Sequence, residues 1–325
     1  MAGTPHIVLL TAADAGVLPG LEPVLAEVKL THVTDQASLK AELPEADILL
    51  VTDFRTEMLH RAWPRSHHIS WVHATSAGVN TLMFPELVNS DVQLTNARGV
   101  FDRGIAEYVL GAVLLFAKDS MNNIRYQQQH EWRHRETELI RDRTALIVGA
   151  GSVGREVARL LQAAGMQVIG TARHAREDEN FTAVYASDRL PDLLPDADFV
   201  VITAPLTGET RGLFDAAAFA RMQPGARLIN VGRGTIVVER DLIKALQEGI
   251  IAGAVLDVFE QEPLAAQSPL WDMPQVMISA HMAGDFRGWK QALGEQFVEN
   301  FYCWKHGRPL HNIVDKHKGY ISSGT

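Results

Sequence analysis

The sequence predicts an α/β protein built from two doubly wound parallel-sheet domains. The chain has 325 residues, the length of about two ordinary domains. Short apolar runs rich in β-branched residues alternate with longer stretches at helical spacing, which is typical of parallel sheets with crossover helices. One apolar run leads directly into a glycine-rich turn, Gly149-Ala150-Gly151-Ser152-Val153-Gly154. Together these three observations define the fold class.

Composition and charge exclude several classes of protein. With 46% hydrophobic and 21% charged residues, the chain is not disordered. A formal net charge of −9 argues against nucleic acid as a partner, since such binding rests on clustered Lys and Arg. The single cysteine, Cys303, can form neither an internal disulfide nor a zinc cage, so we expect no metal site and a cytoplasmic location. The apolar stretch 108–117 is shorter than the roughly 17 to 25 residues that cross a membrane, so no membrane partner is expected.

Eleven strands are predicted, five before residue 100 and six after residue 140. The first series is His6–Leu10, Val28–Val33, Asp47–Val51, Ile69–His73 and Val92–Thr95. The second series is Ala145–Val148, Met166–Ile169, Phe199–Thr203, Arg227–Val231, Ala252–Val258 and Val276–Ser279. Between the two series, a helix capped by Asp102 and running to Lys118 is apolar nearly all round. Such a helix is buried between domains or between subunits, so we expect a homodimer.

The last helical stretch, residues 287–304, is expected to return to the first domain. We therefore predict a discontinuous, flavodoxin-like substrate domain made of residues 1–97 and 288–325. Residues 98–287 are predicted to form a Rossmann-type NAD(P)-binding domain inserted into it.

The glycine-rich turn predicts a dinucleotide site. Gly149 permits the tight turn, Gly151 allows close approach of a pyrophosphate, and Gly154 lets the next helix pack on the sheet. The helix that starts near Ser152 would direct its first amides, those of Ser152 and Val153, at the phosphates.

The position that selects the cofactor carries no acid. The end of the second strand reads Ala172-Arg173-His174-Ala175-Arg176, where an NAD-binding domain normally has a carboxylate for the ribose 2′-hydroxyl. Arg173 can bind a 2′-phosphate, and Arg176 can add charge, so NADP is preferred and NAD stays possible. Alternatively, Arg173 stacks on the adenine of either cofactor.

Three further segments identify a family. They are Val231-Gly232-Arg233-Gly234, residues 256–264 (LDVFEQEPL) and residues 278–284 (ISAHMAG). Together with the glycine-rich turn, they make the chain resemble the D-isomer-specific 2-hydroxyacid dehydrogenases, among them the glyoxylate/hydroxypyruvate reductases. The resemblance covers nearly the whole chain. It implies an oxidoreductase that transfers a hydride between NAD(P)H and a small 2-oxo acid or D-2-hydroxy acid, acting as a 2-oxo acid reductase.

The chemistry accounts for three catalytic candidates. Reduction of a 2-oxo acid needs a cation for the carboxylate, polarisation of the carbonyl and a proton for the developing alkoxide. Arg233, between two glycines, can clamp the carboxylate. His281 can donate the proton, since an unperturbed imidazole titrates at about pH 6.5. Glu262, if hydrogen-bonded to His281, would stabilise the imidazolium. These three also stand where the family has its Arg, Glu and His.

The resemblance implies further contacts. Cofactor contacts beyond the glycine-rich turn are expected from Ala172, Arg173, Ala204, Pro205, Thr210, Val231, Gly232, Arg233, Asp257, His281 and Gly284. The substrate carboxylate would bind the backbone amides of Ala77 and Gly78, together with Arg233 and His281, while Ser76 and Arg55 are weaker candidates for its other end. Ala280 stands where the family usually has proline, and Asp102 stands where threonine is frequent. Trp289 either shapes the pocket or packs the last helix.

A second class stays open. A corepressor family with the same fold binds dinucleotide, senses redox state and can keep the Arg, Glu and His. The absence of a long disordered extension favours the enzyme. The sequence does not identify the 2-oxo acid, because pocket size depends on loops.

Overall fold

Two parallel β-sheets organise the chain, one in each of two units. The computed structural model describes residues 3–52 and 57–321. Unit 1 comprises Met1–Val100 with Phe286–Thr325, and unit 2 comprises Phe101–Asp285. The sequence predicts the domain changes at residues 97–98 and 287–288, close to these limits. The last helical stretch belongs to unit 1.

The five strands of unit 1 match the predicted set. They are β1 (His6–Leu10), β2 (Lys29–Val33), β3 (Ile48–Val51), β4 (Trp71–Ala74) and β5 (Gln93–Thr95). They lie side by side in the order β2-β1-β3-β4-β5, and every pair is parallel. This is the flavodoxin-like order of a doubly wound sheet, which confirms the predicted fold class for this unit.

Unit 2 has one strand more than the sequence predicts. Its strands are β6 (Thr144–Val148), β7 (Gln167–Ala172), β8 (Ala183–Ala186), β9 (Phe199–Ile202), β10 (Arg227–Asn230), β11 (Gly253–Leu256) and β12 (Val276–Ile278). Their order is β12-β11-β10-β9-β6-β7-β8, all parallel, as in a Rossmann-type sheet. The prediction of six strands was wrong because it missed β8, an edge strand in which only Val184 is buried.

Helices connect most of the successive strands in both units. They are α1 (Glu22–Leu25), α2 (Gln36–Glu42), α3 (Glu57–Ala62), α4 (Pro85–Val88), α5 (Asp102–Ala117), α6 (Ser120–Gln128), α7 (Ser152–Ala163), α8 (Leu190–Leu193), α9 (Ala216–Arg221), α10 (Glu239–Gln247) and α11 (Trp289–Lys305). Within the described ranges, none of these helices has both the length and the apolar character that crossing a bilayer requires.

Alternating side chains build a core on each face of the unit 2 sheet. Leu146 and Val148 of β6 pack on one face, against helices α9 and α10. Ala145 and Ile147 of the same strand point to the other face, against α5 and α7. Because both faces are covered, most residues in the middle of these strands are apolar, and this made most of the strands recognisable in the sequence.

Unit 1 is built in the same way. One face of its sheet packs on the helices between its strands. On the other face, Trp71 of β4 stacks on Phe297 of α11, with 5.0 Å between the ring centroids. Leu293, Phe297 and Phe301, spaced four apart along α11, are all buried, as the helical periodicity predicts.

Helix α5 differs from the prediction in two respects. Its N-cap is Phe101, and Asp102 is the first residue of the helix, where its charge complements the helix dipole. Ala106, Val109 and Val113 are buried against β-strands and α7 of the same unit. The apolar character of this helix is therefore largely satisfied inside unit 2.

Candidate active site

The glycine-rich turn joins β6 to α7 at the carboxyl edge of the unit 2 sheet. Gly149 has φ of +110°, and a Cβ there would lie 2.6 Å from the backbone nitrogen of Ala204. A Cβ on Gly154 would overlap the carbonyl oxygen of Gly149. Gly151, by contrast, would meet nothing within 4 Å. Two of the glycines are therefore demanded by the fold itself, whereas Gly151 leaves open space beside the N-terminus of α7, where a pyrophosphate fits.

The turn lies at the switch point of the sheet. Strands β6 and β9 are neighbours, and the chain leaves them toward opposite sides of the sheet. Thr203, directly after β9, donates a hydrogen bond from Oγ1 to the carbonyl oxygen of Gly149, at 2.7 Å. Ala204 and Pro205 follow, and Thr210 Oγ1 donates to the Pro205 carbonyl at 2.7 Å. Doubly wound folds bind their ligands at this point of the sheet, which is where the predicted residues lie.

The two arginines after β7 have different surroundings. Ala172 ends the strand half-buried, and Arg173 is exposed. The guanidinium of Arg176 donates to the carbonyl oxygen of Ala150 in the glycine-rich turn and lies 3.6 Å from Asp178. Asp178 also pairs with Arg155 of α7 at 2.6 Å. Arg176 therefore stabilises the glycine-rich turn. The positive charge that it was predicted to offer to a 2′-phosphate is already engaged by Ala150 and Asp178.

Arg233 is held by the loop that follows β10. Asn230 Nδ2 donates to the carbonyl oxygen of Arg233, and its Oδ1 accepts from the amide of Gly232. Nη1 of Arg233 donates to the Gly232 carbonyl at 2.7 Å. Burial lowers the pKa of the Arg233 guanidinium, and the negative charge of Glu262 acts in the opposite direction. The guanidinium thus sits in a desolvated place within the field of Glu262. Val231, before it, is buried.

Glu262 and His281 form a hydrogen-bonded pair. Nδ1 of His281 lies 2.7 Å from Oε2 of Glu262, and Oε1 of Glu262 accepts from the amide of Phe259 at 3.0 Å. Burial opposes ionisation of Glu262, but the hydrogen bonds from His281 and Phe259 and the charge of Arg233 outweigh it and lower the pKa of this carboxyl. The His281 side chain is 41% exposed, so a ligand can reach the ring while Glu262 orients it.

The three catalytic candidates are therefore brought into one neighbourhood. Arg233, Glu262 and His281 come after β10, β11 and β12, three adjacent strands whose carboxyl ends meet at the same edge. Their roles stay predictions, but their geometry suits a proton donor beside a cation.

Asp257 lies below the loop that carries His281. Its side chain is buried, and its two oxygens accept hydrogen bonds from the amides of Met282 and Ala283, both at 2.9 Å. The predicted cofactor contact Gly284 ends this loop, and a Cβ there would meet the ring of Phe101 at 3.0 Å. Sequence reasoning missed two residues here, Tyr108 and Ser279, whose hydroxyl groups extend the network of Asp257.

Ala77 and Gly78, the predicted substrate contacts besides Arg233 and His281, belong to unit 1. Ala77 and Gly78 lie in the loop after β4, where the Ala77 carbonyl accepts from Asn96 and the Gly78 carbonyl accepts from Ser76 at 2.7 Å. Their amides donate to no acceptor within the part of the chain that the structure describes. Trp289 begins α11 and is half-buried. Arg55 lies outside the described residues.

Comparison with known proteins identifies the family. The family model "D-isomer specific 2-hydroxyacid dehydrogenase, NAD binding domain" matches residues 110–283. Glyoxylate/hydroxypyruvate reductase A of Serratia proteamaculans is 31% identical over 304 residues, which are 90% of this chain and 94% of that protein. Glyoxylate reductase of Korarchaeum cryptofilum is 31% identical over 84% of this chain and 83% of its own length.

A solved structure is similar to this one over nearly the whole chain. NADPH-dependent glyoxylate/hydroxypyruvate reductase from Sinorhizobium meliloti, in complex with NADP and sulfate, is similar with a TM-score of 0.84 and 31% identity. The match covers 98% of this chain and 100% of that one.

The chain belongs to the D-isomer-specific 2-hydroxyacid dehydrogenase family. It is an NAD(P)-dependent oxidoreductase of 2-hydroxy and 2-oxo acids, which confirms the resemblance seen in its sequence motifs.

Proposed function

We propose that this protein reduces a small 2-oxo acid, of the size of glyoxylate or hydroxypyruvate, to the D-2-hydroxy acid with NADPH. The observation that carries the proposal is the 2.7 Å hydrogen bond between His281 and Glu262, formed one strand away from the loop of Arg233. Reduction of a 2-oxo acid requires a guanidinium or similar cation for the substrate carboxylate, a proton donor for the carbonyl oxygen, and a group that orients this donor. The names of the relatives point to the same reaction.

Each residue has a separate task in this reaction. NADPH, when bound along the glycine-rich turn, supplies the hydride. Arg233 holds the substrate carboxylate and polarises the carbonyl, and its partly desolvated position strengthens both interactions. His281 delivers a proton from Nε2 to the developing alkoxide, because Nδ1 is the atom that faces Glu262. Glu262 stays ionised and orients the imidazole for the proton transfer. Ala77 and Gly78 bind the carboxylate through their amides.

Arg173 supports the preference for NADPH. The end of β7 carries no carboxylate in residues 172–176, so nothing there repels a 2′-phosphate. The Sinorhizobium relative was solved with NADP. Unit 2 takes the role of the cofactor domain in this proposal, since the matched NAD-binding model, residues 110–283, falls inside it, and unit 1 takes the substrate role. We place the reaction in the cytoplasm, because a chain with one cysteine cannot form the internal disulfide that is typical of proteins in oxidising compartments.

The corepressor alternative is not favoured. Several relatives that match most of the chain carry the names of reductases and dehydrogenases.

A homodimer is part of the proposal. Large exposed apolar side chains cluster in residues 114–139 of unit 2: Leu114 (37%), Ile124 (55%), Trp132 (100%) and Leu139 (73%). Side chains of this size gain by being covered, and two-fold dimers are the commonest assembly. Because α5 is satisfied within its own unit, we assign the interface to residues 119–140. Light scattering should show a dimer and, for Trp132→Ser with Leu139→Ser, a monomer. Trp271→Ser, at another exposed tryptophan, is the control, and a monomeric parent protein would contradict the assignment.

A substrate panel tests the proposed reaction. Purified protein is mixed with NADPH and one of glyoxylate, hydroxypyruvate, pyruvate or phenylpyruvate, and the loss of NADPH absorbance is followed. We expect turnover with the smaller acids and a loss of kcat of at least about 10²-fold in His281→Ala, with NADPH binding retained. His68→Ala, at an exposed histidine of unit 1, is the control. If no acid in the panel is reduced, or if His281→Ala keeps its kcat, the proposal is wrong.

A further inference from the structure

The backbone of His281 has a conformation that needs support. Its φ is +52°, in the left-handed region that only a few per cent of residues other than glycine adopt. Residues in this region persist only where surrounding contacts hold them. Asp257 supplies several of the backbone contacts that support this part of the loop.

Asp257 holds three consecutive residues of the loop. Its carbonyl oxygen accepts from the amide of His281 at 2.8 Å. Its carboxylate accepts from the next two amides, Met282 through Oδ1 and Ala283 through Oδ2. A carboxylate that accepts several amide hydrogen bonds is a strong anchor, since bonds to an ionised group are stronger than neutral ones. The direction in which the His281 ring leaves the backbone thus depends on where this carboxylate sits.

Two hydroxyl groups fix the carboxylate in turn. Ser279 Oγ lies 2.5 Å from Oδ1 of Asp257, and Tyr108 Oη lies 2.6 Å from Ser279 Oγ. A serine hydroxyl has one proton, which Ser279 donates to the carboxylate. Tyr108 must therefore donate its own proton to Ser279. Burial raises the pKa of Tyr108 and so does the charge of Asp257, although the hydrogen bond to Ser279 opposes them, so the phenol keeps this proton at neutral pH.

We propose that Tyr108 and Ser279 are positioning residues for His281, acting through Asp257. The chain of hydrogen bonds runs from α5 through the end of β12 to the loop of the proton donor. Tyr108 and Ser279 are 171 positions apart in the sequence, so the link also connects two distant segments of unit 2. The inference rests on the proposed role of His281 as the acid, and it adds the residues that hold the imidazole in place for the transfer.

Three variants test this inference in the full-length protein with NADPH and glyoxylate. Ser279→Ala removes the hydroxyl that touches Asp257, Tyr108→Phe removes the hydroxyl behind it, and Ser279→Thr restores a hydroxyl. We expect kcat to fall about tenfold in Ser279→Ala and about fivefold in Tyr108→Phe, because small displacements of a reacting group are costly. Ser279→Thr should recover most of kcat. The Kd for NADPH, measured by fluorescence titration, should stay within about twofold of the parent value.

A double variant separates positioning from a general loss of packing. Because Tyr108 acts only through Ser279, Tyr108→Phe should add nothing to the kcat loss of Ser279→Ala. The controls are Ser268→Ala, whose buried oxygen has no hydrogen-bond partner among the described residues, and Tyr185→Phe in the same unit. Both should leave kcat unchanged.

The outcomes distinguish this inference from the proposed function. If His281→Ala is inactive while Ser279→Ala and Tyr108→Phe keep kcat within about twofold of the parent protein, the positioning network is wrong and the function stands. The role is structural and the inference fails if the kcat losses of Ser279→Ala and Tyr108→Phe multiply in the double variant. It also fails if Ser279→Thr does not recover kcat, or if kcat falls only when NADPH binding is weakened as well. If His281→Ala keeps its turnover, the proposed function itself fails.

Discussion

Glu262 Oε2 and His281 Nδ1 are 2.7 Å apart, and this contact links the loops after β11 and β12. The pKa of Glu262 is lowered, since its hydrogen bonds and the nearby charge of Arg233 outweigh the cost of burial. The carboxylate therefore remains charged through the neutral range. A fixed negative charge next to an imidazole favours the imidazolium, which is the form that gives a proton to the product of reduction.

Glu262→Gln should change the pH dependence of reduction more than the maximum rate. The amide can still accept from Nδ1, so the ring stays oriented, but the charge that holds the proton is lost. We expect the alkaline limb of the kcat/KM profile to move to lower pH, because the negative charge beside the imidazole is lost. Initial rates with NADPH and glyoxylate between pH 5 and 10 measure this shift. Glu260→Gln removes a charge from the same loop and should leave the limb in place. An unmoved limb in Glu262→Gln would contradict the proposed role.

The glycines of the turn should separate folding from binding. A Cβ on Gly154 would overlap the Gly149 carbonyl, so Gly154→Ala should lower the melting temperature by several degrees, about 4 °C or more. A Cβ on Gly151 meets nothing of the protein within 4 Å. Gly151→Ala should therefore keep the melting temperature and still raise the Kd for NADPH, since we propose that the cofactor pyrophosphate occupies this space. Calorimetry and fluorescence titration measure the two quantities, and unchanged NADPH binding in Gly151→Ala would count against the cofactor assignment.

Arg173 and Arg176 should respond differently to the choice of cofactor. Arg173→Ala should raise KM for NADPH by about tenfold or more and leave KM for NADH nearly unchanged, because only NADPH has the 2′-phosphate. Arg176 is bound to Ala150 and Asp178, so Arg176→Ala should weaken both cofactors to a similar degree. Steady-state kinetics with the two cofactors make the comparison. Equal losses for NADPH and NADH in Arg173→Ala would favour stacking on the adenine instead.

The sequence was informative where burial is continuous. β1 is predicted and observed at His6–Leu10 because all five of its residues are buried and four of them, residues 7–10, form an uninterrupted apolar run. β8 was missed because its four residues lie at the sheet edge and only one, Val184, is fully buried. Helix α5 was expected to be covered by another domain or subunit, since composition shows how apolar a helix is and not which part of the chain covers it.

The site shows the same division. Arg233, Glu262 and His281 were visible because each lies in a local motif after a strand. Tyr108 gave no such signal: its partner Ser279 is 171 positions away, and only the three-dimensional structure brings the two hydroxyl groups together. The role predicted for Glu262 requires a hydrogen bond to His281, and the structure shows this contact at 2.7 Å. Motifs thus identify the reacting groups, and the fold identifies what holds them.

His73 predicts how the stability of unit 1 depends on pH. The ring is fully buried in β4, with Nδ1 2.7 Å from Thr95 Oγ1 and Nε2 without a partner among the described residues. Burial lowers its pKa from 6.5 to about 3. Between these values the unfolded chain binds a proton that the folded protein does not, so stability is complete above about pH 6.5 and falls as the pH decreases toward 3. The loss approaches about 1.4 kcal/mol per pH unit for this one group.

In His73→Gln, which cannot take up that proton, the melting temperature should fall less steeply between pH 6.5 and 4.5. His68→Gln, at an exposed histidine, should keep the parent slope, and equal slopes in all three proteins would show that His73 is not the group responsible.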